Sequence, residues 1–70
     1  MNVVRAETIA AAFRGMKGIR VEVHGHGIRI DYMGRQANFV REASFWSFLL
    51  QRISGKDARK VSEIEARLIA

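Results

Sequence analysis

Apolar and polar positions change period along the chain, and the changes mark its elements. From Val4 to Met16, Ile9, Ala12, Phe13 and Met16 recur at helical spacing, with alanines between them and Arg5, Glu7 and Arg14 directed elsewhere. This predicts an amphipathic first helix that closes between Gly15 and Gly18, where glycine admits the left-handed geometry of a helix end. From Gly18 the period drops to two. Ile19, Val21 and Val23 alternate with Arg20, Glu22 and His24, and after HGHG the residues Ile28, Ile30 and Tyr32 alternate with Arg29 and Asp31. That pattern predicts an antiparallel hairpin. A weaker third strand is expected from Arg35 to Val40, with Ala37 and Phe39 continuing the apolar face and Gly34 in the turn before it.

Helical spacing returns from Arg41 to Ile53. Phe45, Trp46, Phe48, Leu49, Leu50 and Ile53 cover an arc too broad for a helix lying on one surface, so this helix needs two partners. Trp46 and Leu50 are assigned to the sheet. Phe45 and Leu49 are assigned to the final helix or to a second copy of the chain. Phe45, Trp46, Phe48 and Leu49 are therefore the candidate core or dimer interface. Gly55 is expected to stop this helix and Asp57 to cap a last one, in which Val61, Ile64 and Leu68 form the apolar stripe. Arg59 with Glu63, and Glu63 with Arg67, stand four apart on its solvent side. The expected fold is α+β, a single small domain over 1–70: N-terminal helix, antiparallel two- or three-stranded sheet, then two C-terminal helices, αββ(β)αα.

The hairpin register follows from charge. With Gly25 and His26 as the central turn residues, His24 faces Gly27, Glu22 faces Arg29 and Arg20 faces Asp31, so both exposed pairs have opposite sign. Moving the turn by one residue to His26 and Gly27 sets Glu22 against Asp31. A three-residue turn opposes Val23 to Arg29 and breaks the shared apolar face. The first register also gives a type II′ turn its preferred leading glycine. It makes HGHG a chain reversal, with His26 at the exposed tip and His24 on the polar face. Two imidazoles would need a third or fourth ligand to make a metal site, and the nearest carboxylates, Glu22 and Asp31, already oppose arginines.

Composition narrows the partners. Twelve Lys and Arg against seven Asp and Glu leave a formal charge of +5, which favours anionic partners. Two basic footprints stand out: Arg20, Arg29 and His24 on the strand face, with His26 and Arg35 near its turns, and Arg52, Lys56, Arg59 and Lys60 around the junction of the last helices. The second is diluted only by Asp57 and is the preferred place for phosphate contacts. The expected partners are DNA or RNA, an acidic protein, or a second copy of the chain.

The order helix, three strands, helix resembles a double-stranded RNA-binding domain. That resemblance implies a lysine-rich motif opening the helix after the strands. Here the segment reads VREASFW, with Arg41 as its sole basic residue beside Glu42, and a further helix follows. The chain departs from the family at its defining motif, and the family is not adopted.

Absent residues narrow the rest. The chain has no cysteine, so disulfide frameworks and thiolate metal sites are excluded. No stretch approaches the ~18 apolar residues of a membrane span, and the N-terminus lacks a signal-peptide core, so a cytoplasmic chain without membrane contact is expected. Ser44, Ser47, Ser54 and Ser62 have no spacing that sets a histidine beside them, and HGHG is not followed by the helix that a phosphate-binding glycine loop requires. The function expected is therefore non-enzymatic and without a cofactor. It is weak phosphate-directed nucleic-acid binding or, alternatively, a homodimeric interaction module for an acidic partner.

Overall fold

The computed structural model describes residues 1–69. Its elements run α1 (Val3–Ala12), β1 (Ile19–His24), β2 (Gly27–Tyr32), β3 (Arg35–Phe39), α2 (Glu42–Arg52) and α3 (Gly55–Ile69). The strands form one antiparallel sheet in the order β1-β2-β3, so the third strand is real and β1 and β3 are its edges.

The hairpin adopts the register that the charges required. His24 pairs with Gly27, Glu22 with Arg29 and Arg20 with Asp31. Gly25 has φ +57° while His26 stays at negative φ, the signature of a type II′ turn. The facing charges do not close into cross-strand ion pairs, however. Arg29 donates to Asn38 Oδ1 at 3.2 Å, Asp31 accepts from Gln36 at 3.3 Å, and Arg20 approaches Glu22 of its own strand at 3.9 Å. The polar face is thus a balanced lattice open to solvent.

Gly27 does a second job. A Cβ built there would lie 1.9 Å from the Phe39 carbonyl oxygen, because the end of β3 crosses closely over it. The other hairpin turn, Met33–Gly34, has both central residues at positive φ (+53° and +77°), which defines type I′. Methionine resists that region, and Met33 is 81% exposed, so it recovers nothing through packing. Met33→Asn is therefore expected to stabilise the fold by roughly 1 kcal/mol, raising the melting midpoint by about 4–8 °C. A thermal melt showing no gain would mean that the turn is not strained.

The apolar face of the sheet supplies Ile19, Ile28 and Ile30, and all lie in one core with Ala6, Ile9 and Phe13 of α1 and Phe45, Trp46 and Leu49 of α2. Val61 and Ile64 of α3 complete it. Among the described residues no polar or charged side chain is buried. Phe45 is fully enclosed, with its ring 4.9 Å from Trp46, 5.9 Å from Phe13 and 6.2 Å from Phe39.

Several local expectations are corrected. α1 ends at Ala12 rather than Met16, because Phe13 and Arg14 bond back to Ala10 and Ala11, tightening the last turn by one residue. The sheet-facing aromatics of α2 are Phe45 and Phe48, whose rings meet Phe39 of β3, whereas Trp46 turns toward Phe13 of α1. Phe45, Trp46 and Leu49 are buried in the core of their own chain, while Phe48 and Leu50 are partly buried against it. α2 stops at Arg52, and Gly55 opens α3 instead of ending α2, so Asp57 sits inside the first turn rather than at the cap. The ion pairs of the described residues are Arg5–Glu42 and Arg20–Glu22, and neither spacing on α3 closes one.

Candidate anion-binding pole

An antiparallel meander sends alternate connections to opposite ends of the sheet. The β2–β3 turn therefore lies at the same end as the start of β1 and the end of α2. Two surface depressions confirm the convergence. One joins Met16 and Gly18 of the α1–β1 loop to Met33 and Gly34, with Arg20 and Asp31 in its wall. The other, of about 460 Å³, is lined by Tyr32, Met33, Arg35, Gln51 and Arg52.

The second depression has a simple origin. Tyr32 and Arg35 are cross-strand partners flanking a two-residue turn, so both project from the helix-facing side of the sheet. α2 ends nearby at Arg52, and the Tyr32 side chain is left half-buried in the wall of an open cleft. Arg52 is held in place: its Nη1 donates to the Phe48 carbonyl at 3.1 Å and its guanidinium lies 3.9 Å from the centre of the Phe48 ring. A cation at a helix C-terminus complements the helix dipole, and stacking leaves the guanidinium edge free to donate. Arg35 has no ion-pair partner among the described residues.

This geometry redistributes the residues singled out from sequence. Arg52 of the junction cluster joins Arg35, while Lys56, Arg59 and Lys60 are exposed on the opening turns of α3, which starts from the same end. Arg20 reaches the pole but stands against Asp31 and near Glu22. Arg29 sits mid-sheet, bonded to Asn38. His24 and His26 are exposed at the opposite end, and among the described residues no group of three or more His, Asp or Glu converges there. Sequence reasoning passed over Tyr32 and Gln51, though the spacing of Tyr32 and Arg35 about Met33–Gly34 already made them neighbours.

A second polar feature holds the opposite end together. Arg5 of α1 grips Glu42 of α2 with Nε at 2.9 Å and Nη2 at 2.6 Å, and Trp46 Nε1 donates to the same carboxylate at 3.4 Å. Glu42 also occupies the first turn of α2, where the helix dipole favours a negative charge. The Arg5 hydrogen bonds hold the Glu42 carboxyl below its usual range, partly opposed by burial. A depressed carboxyl stabilises the fold above the ordinary glutamate range, and that contribution is lost as pH falls through the folded-state value. The stability gap between wild type and Glu42→Gln is thus expected to be full at neutral pH and to close on acidification. Urea denaturation along a pH series reads it, and a gap independent of pH would contradict the assignment.

No family model matches the chain, and no curated protein or solved structure matches it either. Among the described residues no helix is long and apolar enough to cross a membrane.

Proposed function

We propose that this is a small non-enzymatic protein that binds single-stranded DNA or RNA weakly through the Arg35–Arg52 pole. The observation that carries this reading is that two arginines from different elements line one cleft with a half-buried tyrosine in its wall. Guanidiniums donate to phosphate oxygens in paired, directional bonds, and an aromatic face stacks on any base without regard to sequence. A single strand can offer an unstacked base to the tyrosine in the wall of this open cleft, which a duplex does not. Lys56, Arg59 and Lys60 extend the positive surface along which the strand's phosphates would run.

An acidic protein would find the same guanidiniums. Tyr32 tips the balance, since a carboxylate gains nothing from a ring face and a base does. The test is anisotropy of labelled single-stranded DNA, single-stranded RNA and duplex DNA, titrated at several salt concentrations. Single strands are expected to bind tighter than duplex, with affinity falling as salt rises by a slope of about −0.7 per phosphate contacted. Absence of binding at low salt would end the nucleic-acid reading and leave the acidic protein as partner.

A further inference from the structure

From the free edge of β1 we infer that the protein forms a symmetric antiparallel dimer through that strand, with the two-fold axis at Val21. A two-residue turn makes His24 and Gly27 a hydrogen-bonded pair, so Glu22 and Arg20 also spend their backbone groups on β2. The backbone N–H and C=O groups of Ile19, Val21 and Val23 then aim away from the sheet. β2 agrees with this alternation, because counting from the Tyr32–Arg35 pair that closes the second two-residue turn puts Tyr32, Ile30 and Ile28 at the hydrogen-bonded sites toward β3. β1 carries no proline and no bulge to blunt its edge.

The side chains select one register. Antiparallel strands that place unlike faces opposite each other would oppose apolar to charged residues, so the axis must pass through a residue. An axis at Arg20 sets arginine against arginine, and one at Glu22 sets glutamate against glutamate. An axis at Val23 leaves Ile19 and Arg20 unpaired. With the axis at Val21, Arg20 faces the partner copy's glutamate, the reverse pair repeats by symmetry, and Ile19 faces the partner copy's valine at position 23. These charged pairs fall at non-hydrogen-bonded sites, where side chains approach most closely.

The residues involved are accessible, and the Arg20–Glu22 contact within the strand is a long one at 3.9 Å. Arg20 and Glu22 are 76% and 56% exposed in their side chains, and Val23 is 38% exposed on the otherwise covered face. The β3 edge is a poorer match, since an axis at Ala37 would oppose Arg35 to the partner copy's phenylalanine. Joining two β1 edges produces a continuous sheet of six strands with both charge lattices on one open face. A single strand pair is a small contact, so the dimer is weak and forms at high concentration.

Sedimentation equilibrium of the full chain tests the proposal. Wild type is expected to shift from monomer toward dimer as concentration rises to about 1 mM. Arg20→Glu and Glu22→Arg each place like charges across the axis and are each expected to dimerise at least about tenfold more weakly. An equimolar mixture of the two restores both opposite-sign pairs and is expected to regain the lost association. A strictly monomeric wild type, unchanged single variants, or a mixture no better than its components would overturn the register. Each substitution also meets a like charge within its own sheet, so cooperative melts confirm folding. Should either variant fail that check, concentration-dependent protection of the Val21 amide from hydrogen exchange in wild type decides the matter, and its absence refutes the dimer.

Discussion

Gly27→Ala is expected to cost at least about 3 kcal/mol, enough to unfold much of a chain this small, whereas Gly25→Ala in the same turn costs about 1 kcal/mol. The contrast comes from what each methyl would meet. At Gly25 there is open space, and the penalty is the left-handed backbone alone, at φ +57°. At Gly27 the methyl would fall 1.9 Å from the Phe39 carbonyl oxygen, 2.8 Å from its carbon and 3.0 Å from Val40 Cα. These are backbone atoms, so no side chain can swing aside. Relief requires the end of β3 to lift from β2, which breaks the Ile28–Phe39 pairing and pulls the Phe39 ring from Phe45 and Phe48. Urea denaturation of both variants checks the ordering. Equal losses would mean that the close approach at Gly27 is relieved at little cost.

The second large effect concerns binding. Replacing Arg35 and Arg52 together with alanine is expected to lower single-strand affinity by at least about tenfold and to reduce the salt slope by about 1.4, the share of two phosphate contacts. Stability should suffer little from Arg35, which is exposed, and modestly from Arg52, which gives up its stacking on Phe48. Arg59→Ala with Lys60→Ala should weaken binding less, because these side chains line no cleft with the aromatic ring. Equal losses from the two pairs would spread the site evenly over the positive surface. A salt slope unchanged in the Arg35 and Arg52 variant would remove the cleft from the account.

Hairpin register was legible in the sequence because period-two alternation and alternating charge had to agree, and only one turn position satisfied both. The reason for the second glycine of HGHG was not, because its neighbour is a carbonyl on a strand it meets only in the folded sheet. The same separation hid the Arg5–Glu42 clamp, whose partners lie 37 residues apart. α2 was correctly read as needing two partners, but both belong to the same chain: Phe39 of the sheet on one side, and Phe13 of α1 with α3 on the other. An apolar arc reports how much surface must be covered without naming what covers it. The basic residues were likewise visible as two clusters. That Arg35 and Arg52 share one cleft depends on where α2 ends relative to the sheet, which spacing along the chain does not encode.

Met33 bears on both stability and binding. It is an exposed residue in a backbone region that it disfavours, and it lines the cleft proposed to bind a base. Met33→Asn is therefore expected to stabilise the protein while weakening single-strand binding, and measuring both on one sample separates strain kept for a ligand from strain without a use.

Amide chemical-shift mapping with a short single-stranded oligonucleotide at low salt locates the binding site on the chain. Shifts are expected to concentrate at Tyr32–Arg35 and at Gln51 and Arg52, to fade as salt is raised, and to spare His24–Gly27 at the opposite end. Shifts centred on the histidine turn, or none at any oligonucleotide concentration, would contradict this assignment.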